Sequence, residues 1–220
     1  MSVAFSILLI LSMLLTSIEI VSFNKNFYRR QYIKNNTADI IGIDENELLH
    51  ITDEFFSYLK DRRQDLNIKW SHGDNIFGQR EIDHMKDVKQ LFSYGFKLRN
   101  MAFLTVVILT VILFAICPRI WLRYISLSFI LVSAIVIILA IFVAIGIYKD
   151  FDLVWDKFHY IFFNNDLWLL DPDTDVLIMM MPGSFFIDMI KTIATIFFAG
   201  MSAVLAFSIY LYRSYRKKIN

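Results

Sequence analysis

Four runs of apolar residues interrupt an otherwise mixed chain, at 3–23, 101–117, 124–147 and 185–211. Each is apolar on every face of a helical wheel rather than along one stripe, which is the pattern of helices surrounded by lipid. About 20 residues in a helix cross a hydrocarbon layer about 30 Å thick. The second run is the shortest, and Leu98 and Ile120 extend it. The first reads as a retained helix: no base precedes it, its apolar stretch is long for a signal peptide, and no small-x-small site follows. The few charges inside the runs, Glu19, Asp188 and Lys191, lie near their ends, with Asp188 and Lys191 spaced to pair at i, i+3.

Charge in the connections sets an expected orientation. The segment 118–123 carries Arg119 and Arg123 with no acid, and the tail 212–220 carries Arg213, Arg216, Lys217 and Lys218. The connection 148–184 holds two bases, Lys149 and Lys157, against seven acids. Basic connections stay in the cytoplasm, so both termini are expected there, with 24–100 and 148–184 outside. The expected fold is therefore mainly α: four transmembrane helices with a small extracytoplasmic cap.

Within the cap, Asp44-x-x-Glu47 reads as a capping box opening an amphipathic helix to about Lys60. Leu66, Ile68 and Trp70 alternate before a turn at His72-Gly73-Asp74-Asn75. A helix from about Gln79 puts His84, Asp87, Val88 and Leu91 on one face. Gly95, ahead of Lys97 and Arg99, is the natural place for that helix to bend before the second span. In the later segment Phe151, Val154, Trp155, Phe158, Phe162 and Phe163 form an aromatic helical stripe suited to the membrane boundary. The runs Leu167–Leu170 and Val176–Met179 around Asp171-Pro172-Asp173-Thr174-Asp175 suggest a short β hairpin.

Composition narrows the chemistry. With 57% hydrophobic residues and a mean hydropathy of +0.52, the chain is too apolar for an ordinary soluble domain. A net charge of +1 removes the electrostatic case for binding nucleic acid, and 21 Phe, 10 Tyr and 4 Trp argue against disorder. The single cysteine, Cys117, forms no internal disulfide and reads as an inert thiol. No H-E-x-x-H occurs, and Asp171, Asp173 and Asp175 lack the glycine and terminal glutamate of a calcium loop, so no metal is expected. No glycine-rich phosphate loop or serine-nucleophile elbow appears. Four histidines remain. His50, on the polar side of its helix, and His72, in its turn, read as solvated. His84 has Asp83 and Asp87 beside it, and His159 has Asp156 one turn back, pairings that can fix an imidazole's tautomer or support its cation.

Several features together resemble a family of bacterial membrane proteins, the lipoprotein intramolecular transacylases. They are Asn24, Phe27 and Tyr28 after the first span, His84-Met85-x-Asp87-Val88 before the second, and Phe158-His159 followed by Asp166-x-Trp168, Asp171 and Asp175. Leu177-Ile178, Pro182 and Phe185-Phe186 complete the pattern, with Gly183 standing where an acid is expected. The resemblance implies a diacylglyceryl-modified lipoprotein as substrate, in a bacterial cell membrane among membrane lipids, with the site facing outward and no cofactor. The sn-2 acyl chain would move to the α-amine of the N-terminal cysteine, leaving a lyso product. It implies His84 and His159 as the acid/base pair. Asp87, Tyr28, Asp166, Trp168, Asp171 and Asp175 would bind or orient substrate, and Trp155, Phe158 and Phe162 would line the acyl path. A membrane sensor or scaffold, or a hydrolase of lipid esters, are the rival readings.

Overall fold

The structure, a computed structural model, describes residues 1–70 and 73–217. Its helices are α1 (Ser2–Ser22), α2 (Lys25–Asn35), α3 (Thr37–Ile41), α4 (Glu45–Leu59), α5 (Gln79–Ile116), α6 (Trp121–Lys149), α7 (Phe151–Phe162), α8 (Val176–Met180) and α9 (Gly183–Lys217). α1, α5, α6 and α9 are each long and apolar enough to cross a membrane, and they cover the four expected runs except for Phe23 and Cys117 at two of the ends. The protein is a multi-pass membrane protein of mainly helical fold. Its chain divides into two units, one of Met1–Glu19, Phe96–Asp150 and the chain from Lys191 on, the other of Ile20–Gly95 and Phe151–Ile190.

The first unit is built from transmembrane helices. Ile10 of α1, Phe129 and Val132 of α6, and Phe197 and Met201 of α9 form its buried core, with Met13, Val136 and Val204 packed against it. Lipid offers hydroxyl groups no water, so small polar residues pair between helices. The Ser6 and Ser128 hydroxyls lie 2.9 Å apart, and Ser128 also reaches the Ser2 carbonyl at 3.0 Å. Glu19 of α1 is neutralised by Arg99 of α5. Leu131, Ile138 and Phe142 of α6 are exposed, as lipid-facing side chains are.

The second unit has an aromatic core. The Asn24 side chain caps α2 by accepting from Phe27 N at 3.1 Å. Asp44 caps α4 as its spacing predicts, accepting from Asn46 N at 2.7 Å and Glu47 N at 3.0 Å. The apolar stripe of α4 buries Leu48, Ile51, Phe55, Phe56 and Leu59. Tyr28 meets Phe56 and Phe185, each at a centroid distance of 4.9 Å and edge-on, the favoured arrangement for aromatic quadrupoles.

Two expectations are overturned. Among the described residues there is no β hairpin: the one β contact is an isolated antiparallel bridge between Lys69 and Asn75. Asp171 and Asp175 explain the difference. Asp171 N donates to the Asp175 carboxylate at 2.7 Å, Asp173 N donates to the Asp171 carboxylate at 2.9 Å, and Asp175 N donates to the Asp171 carbonyl at 2.8 Å. The turn is wound in the helical sense, and the chain leaves it as α8 instead of a returning strand. The helix is not broken at Gly95 either, since α5 is continuous from Gln79 to Ile116. One glycine in a helix costs only about 1 kcal/mol, which the residues around it offset. His72 and Lys218 lie outside the described residues.

A methyl group added at Gly95 meets nothing within 4 Å. Gly95→Ala should therefore raise stability by about 0.5–1 kcal/mol and leave acyl transfer unchanged. Denaturant unfolding in detergent beside an activity assay checks this; a large loss of activity would mean that α5 works as a hinge.

Candidate active site

Helix α5 begins with a local device that also reaches across the fold. Glu81, at 2% exposure, takes Gly78 N on one carboxylate oxygen and Leu177 N on the other, each at 2.6 Å. The first bond is half of a capping box; the second ties the start of α8 to the start of α5. Burial raises the Glu81 carboxyl above its ordinary range, and the two N–H bonds oppose that rise. One turn later comes His84, on the polar part of α5 ahead of its apolar run.

His159 faces inward from α7 and is the buried residue of that helix. Its ring centroid lies 6.2 Å from that of His84, so the two histidines expected to work together are neighbours. Phe163 touches both, edge-on to His84 at 5.3 Å and stacked on His159 at 5.7 Å. Trp168 stacks on His159 at 4.5 Å with ring planes 16° apart, and Trp155 meets it edge-on at 4.6 Å. His84 is 8% exposed and His159 5%.

This apolar box sets the protonation state. Burial disfavours the imidazolium and is the first cause of both shifts. His84 is lowered to about 4, with His159 adding to the drop and Asp87 opposing it. His159 is lowered by burial, while its bond to Trp155 and the charge of Asp156 oppose the shift. Both rings are therefore neutral at pH 7. His159 Nδ1 lies 2.8 Å from the Trp155 carbonyl oxygen. A carbonyl only accepts, so Nδ1 carries the proton and Nε2 keeps its lone pair.

The turn after α7 is tethered to α5. Asn165 donates its side-chain amide to Asp87 at 2.8 Å and accepts from Leu167 N at 3.1 Å, and Arg80 donates to the Asp166 carbonyl. Asp87, expected to orient His84 or hold an ammonium, acts on His84 through its charge and grips this turn through Asn165. Asp166 contributes its backbone carbonyl, which accepts from Arg80 and from Leu169 N. Asp171 and Asp175 bind one another's turn, and Tyr28 connects to His159 through the ring contacts of Phe185, Phe186 and Trp155. Trp155, Phe158 and Phe162 form a continuous row along α7, ending in the exposed rings of Phe158 and Phe162. Asp188 binds Lys34 and, at 3.2 Å, Gln31.

Asn165 and Glu81 are residues around the two histidines that sequence reasoning missed, and Phe163, expected only as part of the aromatic stripe, packs against both rings. Glu81 had a local signal in Gly78-x-x-Glu81, whereas the partner of Asn165 lies too far along the chain to leave one. Among the described residues, no group of three or more His, Cys, Asp or Glu gathers in a way that could hold a metal ion.

Comparison with known proteins places this arrangement. The family model described as "Lipoprotein intramolecular transacylase Lit" matches residues 3–186. Solved structures of the membrane integral lipoprotein intramolecular transacylase Lit from Bacillus cereus share the fold. One has a TM-score of 0.74 at 21% identity, covering 100% of this chain and 96% of that one. Another, with a histidine replaced by arginine, has a TM-score of 0.75 at 21% identity over 99% and 92%. A third, with a histidine replaced by alanine, has a TM-score of 0.77 at 20% identity over 98% and 94%. No curated protein matches the chain. With most of its length matched by the family model, the chain belongs to the lipoprotein intramolecular transacylases and is an acyltransferase that acts on lipoproteins.

Proposed function

We propose that the enzyme moves the sn-2 acyl chain of a diacylglyceryl lipoprotein to the α-amine of its N-terminal cysteine, with His159 as the proton carrier. Support comes from two buried neutral imidazoles with ring centroids 6.2 Å apart, one of them with Nδ1–H committed to a backbone carbonyl. The free amine of the substrate has a pKa of about 8, so a base must take its proton before or during attack. Nε2 of His159 has the lone pair for that step. The amine nitrogen bonds to the ester carbonyl carbon, and the carbonyl π pair moves onto oxygen. As the tetrahedral intermediate collapses, the bond to the glycerol oxygen breaks and His159 returns the proton to it.

His84 has the complementary part. Its lowered pKa keeps it neutral even when its neighbour is cationic, so it serves as an N–H donor to the developing oxyanion. Amine and ester belong to one substrate, and holding them in attack geometry supplies about 7 kcal/mol or more of the barrier reduction. Phe158 and Phe162 extend the apolar row from His159 to exposed surface, a route for the acyl chain from lipid. The acidic connection 148–184 supports an outward-facing site with cytoplasmic termini.

Substitution separates the two histidines. His159→Gln should lower conversion by about 100-fold or more. His84→Ala should be similarly impaired, while His84→Gln, which keeps an N–H donor, should recover part of the loss. Mass spectrometry of a diacylglyceryl lipopeptide gives the readout: transfer conserves mass and relocates one acyl group to nitrogen. Normal conversion by His159→Gln and His84→Ala removes the assignment, and loss of one acyl chain in mass identifies a hydrolase.

Acid sensitivity has a defined sign. The folded form holds His84 at about 4 against the ordinary 6.5, so the unfolded chain binds that proton first as pH falls. The stability associated with neutral His84 is complete above pH 6.5 and is lost on acidification toward pH 4. Wild type should lose melting temperature more steeply over that window than His84→Gln. Parallel melting curves would contradict a buried neutral His84.

A further inference from the structure

Six buried side-chain nitrogen or oxygen atoms among the described residues have no hydrogen-bond partner. Two of them, His84 Nδ1 and Trp168 Nε1, belong to rings packed around a third, His159. A buried polar atom left unpaired forfeits about 1–3 kcal/mol, so two around one ring call for an explanation in what the site binds. The indole N–H is the more telling of the pair. It is a donor only, it does not titrate in the working range, and no change of tautomer gives it another role.

The fold holds that donor in place. Trp168 lies on the turn that Asn165 anchors to Asp87 at 2.8 Å and that Arg80 binds through the Asp166 carbonyl. Leu170 N closes the turn on the Trp168 carbonyl at 3.0 Å. Arg80 and Asp87 both stand on α5, the helix that carries His84, so the indole and the His84 imidazole are referred to one rigid element. Stacking on His159 fixes the ring plane beside the proton carrier. Donors placed in advance, in a site with little water, are what an acyl-transfer oxyanion requires.

We propose that Trp168 Nε1–H donates to the oxyanion of the tetrahedral intermediate, alongside the N–H of His84. This rests on the transacylation reading above. When the amine attacks, the negative charge appears on the former carbonyl oxygen. A neutral indole and a neutral imidazole then stabilise it without introducing a fixed positive charge into the apolar box. The charge disappears again when the bond to the glycerol oxygen breaks. Trp168 is thereby a catalytic residue and not only part of the wall.

Replacing the indole with its benzothiophene isostere, by incorporating benzothienylalanine at position 168, removes the N–H and keeps the bicycle. With a purified diacylglyceryl lipopeptide, kcat should fall by about 100-fold, with KM little changed and the pH profile unshifted. Trp168→Phe should show the same split. An isostere that turns over at the wild-type rate overturns the proposal and leaves Trp168 as packing; a change confined to KM overturns it in favour of a substrate contact. His159→Gln, assayed in parallel, keeps the two readings apart. If that variant is inactive and the isostere is not, only the oxyanion role falls. If that variant turns over normally, the catalytic reading beneath it falls as well.

Discussion

One hydrogen bond inside a single helical turn governs what the site can do. His159 Nδ1 donates to the carbonyl of Trp155, four residues back on α7. That carbonyl has two lone pairs, so it serves the side chain as well as the helix. The bond fixes the tautomer of His159, and with it the nitrogen on which that ring keeps its basic lone pair. A histidine in the same place with its proton on the other nitrogen would present a donor to an amine that must lose a proton. On the proposed mechanism, the direction of proton transfer follows from this bond within α7.

Burial supplies the second constraint. Trp155, Phe163 and Trp168 around His159 disfavour charge on either imidazole, and the proximity of the rings makes two simultaneous cations costlier still. On the proposed mechanism, water exclusion strengthens each hydrogen bond to the reacting oxygen and protects the ester from hydrolysis, which is the side reaction a transferase must suppress. The same exclusion leaves His84 Nδ1 and Trp168 Nε1 unpaired. On that reading, the features that make the free site costly are those that favour the transition state.

Much of this was legible in the sequence, and the reasons differ by residue. The spans follow from unbroken apolar runs, the start of α4 from Asp44, and α7 from its aromatic period. The histidines stood out because little other chemistry was available, but their contact is tertiary and leaves no local pattern. The expected hairpin failed because Asp171 and Asp175 spend their carboxylates on N–H groups of their own turn. A Pro/Asp cluster signals a turn but not the direction in which the chain leaves it. Helix α5 carries no break at Gly95 because a glycine permits a break without requiring one. Asn165 was invisible because its anchor, Asp87, lies on another element.

Since the box itself is costly, its rigidity must come from its surroundings. Glu81 joins the first turn of α5 to the first turn of α8 through two backbone N–H bonds, and Asp87 joins α5 to the turn carrying Trp168. Both acids stand within one helical turn of His84. Three polar residues on one stretch of α5 thus divide the work: Glu81 and Asp87 satisfy backbone and amide donors, which leaves His84 the residue of the three with a buried polar atom free for substrate. Loss of either acid would reach catalysis through placement of the rings and not through proton transfer. Carboxylates so close to the imidazoles coexist with neutral histidines because burial outweighs their pull: the charge of Asp87 raises the His84 pKa, and desolvation lowers it further than that.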